Sequence, residues 1–282
     1  MIRCRTVYKY FDKKPVLNGI DFEIPDGKIF GLLGPSGAGK TTLIKILTGQ
    51  LAFDSGDVTI LDKPVTKLTG EDNQKIGIMM EQFGMYERLS CADNLKIFAD
   101  IYHIPHPKIT EILSLVGLSD AEKKEASHLS KGMRARLRLA RVFLHSPEII
   151  FLDEPTSGLD PVSMKAIHKI ILDKKKAGCT IFLTTHNMEE AETLCDTVAL
   201  LNEGVIVDCG VPREICRKYN HQKKIRLHLL GGKDREIAQN AEAADEIYRL
   251  LRAGAVETIH SSEPTLETVF LELTGRKLQE EE

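Results

Sequence analysis

Apolar residues follow two different patterns along this chain, and each pattern predicts a different kind of strand. Near the N-terminus they alternate with polar residues, and Ile20, Phe22 and Ile24 share one face, as in a half-buried strand. Farther along they form short unbroken runs, which are typical of strands buried on both faces. These runs cover residues 29–33, 149–152, 180–184 and 198–201. Helical patterns separate the later runs, so the sequence predicts an α/β fold with a mostly parallel sheet.

Two stretches of the chain depart from this alternation. From about residue 84 to residue 145 the apolar periodicity is mainly helical, which predicts a helical insertion. After Pro212 the chain becomes polar, and then continues with two strand-like segments, helical patterns and a final amphipathic helix. We therefore expect two domains. The first would span residues 1–217 and contain the helical subdomain at about 84–145, and a small C-terminal α+β lobe would span residues 218–282.

The composition supports a folded protein and narrows its class of partners. The chain has 282 residues, 42% of them hydrophobic, which is enough for one substantial core and a smaller appendage. Its 38 basic and 41 acidic residues are interspersed, so no basic block indicates a nucleic-acid partner. Its 6 cysteines are scattered, as expected for reduced thiols in the cytoplasm. No run approaches the ~18 apolar residues of a membrane span, so any membrane crossing is expected from another chain.

A glycine-rich segment between the apolar run 29–33 and the next helical pattern carries the first candidate chemistry. The segment reads Gly34-Pro35-Ser36-Gly37-Ala38-Gly39-Lys40-Thr41 and is followed by Thr42. It fits the phosphate-loop pattern in the strand–loop–helix context that the pattern requires. Glycines let backbone amides approach phosphates, Lys40 would contact the β- and γ-phosphates, and Thr41 would ligate Mg²⁺. The segment predicts an ATP site, although alone it also fits kinases, motors and GTPases, or a turn that binds nothing.

Two adjacent carboxylates, Asp153 and Glu154, end the apolar run 149–152. Carboxylates at the edge of a core are costly if they are unpaired, so they need a cation or a chemical role. Beside a phosphate loop, Asp153 would reach Mg²⁺ directly or through water, and Glu154 would polarise the water that attacks the γ-phosphate. Such a pair alone mostly marks the end of a strand. Together with the phosphate loop it predicts ATP hydrolysis.

Three further segments closely resemble motifs of the nucleotide-binding subunits of ATP-binding cassette transporters. Leu129-Ser130-Lys131-Gly132-Met133 takes the place of the signature LSGGQ, Ser157-Gly158-Leu159-Asp160 that of the D-loop, and Thr184-Thr185-His186 that of the switch histidine. The resemblance covers about residues 7–210. It implies a RecA-like phosphate-loop NTPase core with an N-terminal antiparallel β subdomain.

This resemblance also implies roles for individual residues of the three segments. Ser130, Gly132 and Asp160 would contact the ATP held by the opposite subunit of a head-to-tail dimer, since helix-end amides and a hydroxyl suit an anion. His186 would contact the γ-phosphate and hold the attacking water, which makes it catalytic together with Glu154. Taken singly, Ser130 is typical of a helix N-cap and a histidine at a strand end is more often structural.

At two positions of the resemblance, a residue close in sequence is a second candidate for the same role. Phe11 falls where the family places an aromatic residue that stacks on adenine, and Tyr8 and Tyr10 lie close to it. Glu81 falls where the family has the glutamine of its glutamine loop, and Gln82 is one residue late. A carboxylate oxygen is a hard donor that can still ligate Mg²⁺, so the resemblance places Glu81 in the metal site.

The form Leu-Ser-Lys-Gly-Met and the C-terminal stretch 262–275 are similar to those of bacterial exporters whose permease is a separate chain of the ABC-2 type. The resemblance implies an ATPase subunit at the cytoplasmic face of the membrane. Its partners would be a second ATP-binding subunit, identical or not, and a transmembrane permease that contacts residues 83–95.

A soluble cassette ATPase acting on ribosomes or DNA is the alternative, but such proteins usually carry two cassettes or long coiled coils. A subunit that binds ATP without hydrolysing it is disfavoured because Lys40, Glu154 and His186 are present.

Overall fold

The computed structural model describes residues 1–80, 84–221, 223–262 and 264–275. The described residues divide into two compact units, 1–210 and 211–275. The domain boundary expected between residues 217 and 218 remains a prediction. Within the described ranges, no helix combines the length and the apolar character needed to span a bilayer.

The first unit consists of two β-sheets and the helices that pack on them. Its strands are β1 (Ile2–Phe11), β2 (Lys14–Ile24), β3 (Ile29–Leu33), β4 (Ser55–Ile60), β5 (Lys63–Pro64), β6 (Ile76–Met79), β7 (Ile149–Asp153), β8 (Thr180–Thr185), β9 (Thr197–Asn202) and β10 (Val205–Gly210). Its α-helices are α1 (Lys40–Leu47), α2 (Gly70–Asn73), α3 (Cys91–Ile101), α4 (Pro107–Leu115), α5 (Lys131–Phe143), α6 (Pro161–Lys176) and α7 (Met188–Leu194).

A six-stranded sheet forms the centre of this unit, in the order β10-β9-β3-β8-β7-β6. The strands from β9 to β6 are parallel to their neighbours, whereas β10 pairs antiparallel with β9 at one edge. Every residue of β3, β7 and β8 is buried, which accounts for the unbroken apolar runs in the sequence. The prediction of an α/β fold with a mostly parallel sheet is confirmed.

The register of the parallel strands brings their carboxyl ends to one edge of the sheet. Leu33 at the end of β3 pairs with Thr185 of β8, and Asp153 at the end of β7 pairs with Thr184 of the same strand. Ligands of open α/β sheets bind at this edge, where loops leave the strands. The loop after β3, the acidic pair at the end of β7 and His186 after β8 therefore lie close together at this edge.

The second sheet of the unit is antiparallel, in the order β2-β1-β4-β5. Phe22 of β2 stacks on Phe30 of β3 with 4.9 Å between ring centroids, and Phe30 lies 5.7 Å from Phe182 of β8. Such contacts between large buried rings stabilise the packing of the two sheets. The N-terminal antiparallel β subdomain implied by the resemblance is confirmed.

Helices α3, α4 and α5 form the predicted helical insertion. They pack around fully buried leucines, among them Leu95 of α3, Leu113 of α4 and Leu137 of α5. Two of the helices begin with a serine N-cap: Ser90 Oγ accepts from the Asp93 amide, and Ser130 Oγ accepts from the Met133 amide. Ser130, which belongs to the segment that resembles the signature LSGGQ, therefore caps the start of α5.

The second unit is a small α+β lobe, as expected. Its elements are α8 (Pro212–Lys218), β11 (Lys224–Leu229), β12 (Lys233–Ala238), α9 (Ala241–Arg252), β13 (Val256–Ser262) and α10 (Leu266–Thr274). The strands form an antiparallel sheet with β11 in the middle. Leu227 of β11 and the α10 residues Leu266, Val269 and Phe270 are fully buried.

Candidate active site

The predicted phosphate loop connects β3 to α1 and has room only for glycine at two positions. A Cβ on Gly34 would lie 2.4 Å from the carbonyl oxygen of Leu201. Gly39 has a φ of 110° and is the N-cap of α1, and a Cβ there would lie 2.9 Å from Leu17 Cδ2. These glycines let the loop curl tightly over the end of the sheet, so that the backbone amides at the start of α1 face a cleft suited to an anion.

Lys40 places its ammonium group at this cleft. Its side chain is only 9% exposed, and Nζ donates to the carbonyl oxygens of Gly34 at 2.6 Å and Pro35 at 3.3 Å. The same Nζ lies 3.3 Å from Glu154 Oε1. The loop's own carbonyls and the carboxylate thus hold a cation where the sequence predicts contact with phosphates.

Asp153 joins the phosphate loop to the neighbouring strands. It is 5% exposed; its Oδ2 accepts a hydrogen bond from Thr41 Oγ1 at 3.0 Å, and its Oδ1 accepts one from Thr184 Oγ1. A carboxylate and a hydroxyl side by side are the hard oxygen donors that Mg²⁺ prefers. Within the described ranges, no group of three or more His, Cys, Asp or Glu side chains is arranged to hold a metal. A cation here would therefore need further oxygens, which phosphates and water supply.

Glu154 is held by a histidine and a lysine and by an unusual backbone conformation. Its φ is 48°, a left-handed value that non-glycine residues rarely adopt, and its amide donates to the Thr184 carbonyl at 3.1 Å. His186 Nδ1 donates to Oε2 at 2.9 Å. Burial raises the pKa of the Glu154 carboxyl, but His186 and Lys40 outweigh this effect, so the pKa lies below its ordinary value. Glu154 is therefore ionised at neutral pH.

This lowered pKa makes a prediction about stability. The contacts of ionised Glu154 with His186 and Lys40 should stabilise the fold fully above the ordinary carboxyl pKa of 4.5 and be lost as the pH falls through the depressed value. The free energy of unfolding should be measured for the wild type and for Glu154→Gln, which does not titrate at this position. The difference, wild type minus variant, should decrease as the pH falls below 4.5; an increase would contradict the assignment.

The structure adds one residue to the cleft and leaves an aromatic assignment open. Val16 of β2 also lines the cleft beside the phosphate loop, Asp153 and Glu154. In the sequence Val16 resembles the other apolar residues of the strand, so no local signal marks it as part of the site. Phe11 ends β1, is 45% exposed, and does not line this cleft. Its adenine contact therefore remains a prediction. Glu81, predicted as a metal ligand, lies outside the described residues.

Ser130, Gly132 and Asp160 lie together at the starts of α5 and α6, and none of them lines the cleft with Lys40. A Cβ on Gly132 would lie 2.2 Å from Ser163 Oγ, so α5 can approach α6 this closely only with glycine. Asp160 Oδ1 accepts from the amides of Val162 at 3.0 Å and Ser163 at 2.9 Å. Ser130 and Asp160 therefore cap helices within their own chain, and their contact with a second chain's ATP remains a prediction.

Comparison with known proteins agrees with this geometry. The family model described as ABC transporter matches residues 17–157. A fluoroquinolones export ATP-binding protein of Mycobacterium tuberculosis is 40% identical, over 94% of this chain and 89% of the relative. The linearmycin resistance ATP-binding protein of Bacillus subtilis is 30% identical, over 99% of this chain and 100% of the relative. The solved structure of an ATP-binding subunit of an ABC transporter has a TM-score of 0.70 and 25% identity, and the match covers 78% of this chain and 93% of that chain.

Proposed function

Since this chain belongs to the ABC transporter family and is an ATPase, we propose that it powers a membrane exporter whose permease is a separate chain of the ABC-2 type. The observation that carries the ATP-hydrolysing part of the proposal is the Glu154 carboxylate, fixed between Lys40 and His186 at the mouth of a phosphate loop. A subunit that only bound ATP would have no use for a largely buried, ionised carboxylate at this point, because the negative charge repels phosphates.

The phosphate loop and Lys40 bind the phosphates of ATP. Phosphate oxygens compete with the carbonyls of Gly34 and Pro35 for the Lys40 ammonium, and charge-assisted hydrogen bonds to phosphate are the stronger ones. Thr41 and Asp153 would hold Mg²⁺, which neutralises charge on the phosphates. ATP binding thus replaces interactions that the loop makes with itself.

Glu154 and His186 activate the water that hydrolyses ATP. Once Lys40 turns to phosphate, Oε1 of Glu154 becomes available to accept a hydrogen bond from the attacking water, while Oε2 keeps its bond from His186 Nδ1. The histidine therefore fixes the orientation of the carboxylate, and the carboxylate polarises the water and can take its proton. This division of roles needs both residues at the ends of adjacent strands, where β7 and β8 place them.

We propose that a complete site needs a second ATP-binding subunit. Ser130 and Gly132 open α5, whose N-terminal amides suit an anion, yet they do not line their own cleft. Two copies that face each other would let each α5 meet the other's nucleotide. ATP would then close the pair, and hydrolysis would reopen it.

The exporter assignment rests on the relatives and on a groove in the helical insertion. One relative is named for export of fluoroquinolones and the other for resistance to linearmycin, and we propose export here too, from the cytoplasmic face of the membrane. The groove lies between the helical insertion and residues 48–78, and its lining combines apolar and aromatic side chains, among them Met85, Tyr86, Phe98 and Tyr102, with polar ones that include Arg141. It lies at the insertion where permease contact is expected, and Tyr86 is 55% exposed. A partner chain would cover this apolar surface.

The exporter proposal predicts the behaviour of a Tyr86→Glu variant. A carboxylate in place of this exposed aromatic side chain should prevent co-purification with the permease chain and abolish ATP-dependent efflux from cells that express both. The ATPase rate of the isolated chain should stay unchanged, because Tyr86 lies outside the phosphate cleft. Glu87→Gln is the matched control, because it replaces an exposed side chain at the next position with a neutral one of the same size. Efflux that persists in Tyr86→Glu would contradict docking at the groove, and a neighbourhood of translation or repair genes would contradict the exporter.

A further inference from the structure

A second carboxylate lies beneath the site and takes no part in the chemistry described above. Glu190, in the first turn of α7, has a side chain that is 0% exposed. Its Oε1 accepts a hydrogen bond from Thr156 Oγ1 at 2.7 Å and one from His168 Nε2 at 3.1 Å. Its Oε2 is buried and has no partner within the described residues.

Stability alone does not account for this arrangement. A buried carboxylate with one unsatisfied oxygen is costly, and apolar residues of similar volume often replace buried ionic groups without loss of stability. The helix does not need Glu190 for its start either, since Asn187 Oδ1 caps α7 by accepting from the Glu190 amide. The exposed Glu189 beside it supplies a negative charge to the same helix end. The buried carboxylate therefore calls for another explanation.

The partners of Glu190 connect it to the catalytic pair. Thr156 follows Glu154 by two positions, and α7 begins at Met188, directly after His186 and its neighbour Asn187. His168 lies on α6, the helix capped by Asp160. One carboxylate thus ties together the loop that leaves β7, the segment that leaves β8 and the helix between them.

Glu154 needs such a tie because its backbone conformation is unfavourable. A left-handed φ at a non-glycine residue persists only where the surroundings fix it. On one side, the Glu154 amide is bonded to the Thr184 carbonyl. On the other side, the bond from Thr156 to Glu190 fixes the chain where it leaves Glu154.

We propose that Glu190 is a positioning residue: through Thr156 it holds the Glu154 carboxylate at hydrogen-bonding distance from His186. The inference rests on the proposed function, because it assigns Glu190 a purpose in ATP hydrolysis. Glu190 itself would make no contact with the nucleotide. Without the tie, Glu154 would relax from its strained backbone and leave the histidine.

The test is a pair of substitutions at Thr156 in the full-length protein. Thr156→Val keeps the shape of the side chain and removes the hydroxyl, whereas Thr156→Ser keeps the hydroxyl. Thr156→Val should lower kcat for ATP by about tenfold or more, since small misplacements of catalytic groups have effects of this size. KM should change by less than about twofold, because the phosphate loop is intact. Thr156→Ser should restore the wild-type rate.

Substitution of Glu190 itself provides the second arm. Glu190→Gln keeps an oxygen that accepts from Thr156 and should keep kcat within about threefold of the wild type, whereas Glu190→Leu should match Thr156→Val. Melting temperatures identify any variant that is unfolded at the assay temperature. A Thr156→Val protein that is folded and turns over ATP at the wild-type rate would overturn the inference, as would a loss that Thr156→Ser fails to restore.

A readout that does not depend on turnover separates this inference from the proposed function. Nitrogen NMR of the histidine rings, assigned with His186→Ala, reports whether His186 Nδ1 carries a hydrogen-bonded proton. The signal should be present in the wild type and in Thr156→Ser and lost in Thr156→Val. An unchanged signal in Thr156→Val would overturn the positioning role, whether or not the wild type hydrolyses ATP. A wild type that hydrolysed no ATP would by itself contradict only the proposed function.

Discussion

Replacing Glu154 with glutamine is expected to abolish ATP turnover while leaving ATP bound. The amide keeps the size of the side chain but loses the negative charge that polarises the attacking water, and removal of a general base typically lowers rates by about a hundredfold to ten-thousandfold. The phosphate loop and Lys40 remain in place, so affinity for ATP should not fall. Loss of a negative charge beside the phosphates should instead strengthen binding slightly.

The measurement is phosphate release at saturating ATP, together with the dissociation constant of a fluorescent ATP analogue. Glu189→Gln is the matched control, because it makes the same chemical change on an exposed residue close in sequence to His186. The control should retain the wild-type rate. If Glu154→Gln kept a rate within about threefold of the wild type, Glu154 would not be the residue that activates water.

Lys40→Ala is expected to have the second large effect, and on binding rather than on the chemical step alone. The Lys40 ammonium is almost fully buried at the cleft, where it can donate charge-assisted hydrogen bonds to phosphate oxygens. Bonds of this type contribute about 1.5–3 kcal/mol each. Their loss should weaken ATP binding by about a hundredfold.

Calorimetric titration with ATP measures this change directly. Lys45→Ala is a suitable control, since Lys45 belongs to the same helix, lies in its last turn and does not line the cleft. Unchanged affinity in Lys40→Ala would mean that the ammonium remains bound to the loop carbonyls and never turns to phosphate. Equal losses in both variants would indicate damage to α1 instead of a lost contact.

The sequence predicted the central sheet because its strands are buried on both faces. The unbroken apolar runs that become β3, β7 and β8 leave few alternatives to parallel strands between helices. The loop after β3 was equally predictable, since Gly34 and Gly39 lie where the backbone leaves no room for a Cβ. In both cases the signal is local in the sequence.

Contacts between distant segments could not be predicted in this way. The sheet order places β8 between β3 and β7, and only this order brings the Thr184 hydroxyl to Asp153. The bond from Thr156 to Glu190 likewise joins residues from different segments. A glutamate in the first turn of a helix looks like an ordinary solvent-exposed residue in the sequence, and its burial follows from how α6 and α7 pack.

Helix caps illustrate a second limit. Ser130 and Asp160 were expected to serve the ATP of another subunit, and each caps a helix of its own chain. A capping side chain and an anion-binding helix end use the same group of backbone amides, so the two roles are compatible at one position. The structure of one chain therefore leaves the shared site as a prediction.

The central claim, that two chains share each ATP site, is tested most directly by light scattering of the Glu154→Gln protein with and without ATP. The protein should be monomeric without nucleotide and dimeric at saturating ATP, because bound ATP is not hydrolysed and holds the pair together. Adding Ser130→Asp should preserve the helix cap but place a carboxylate opposite the partner's phosphates, so this double variant should bind ATP and stay monomeric. A Glu154→Gln protein that remains monomeric at saturating ATP, or a double variant that dimerises as readily, would contradict the shared site.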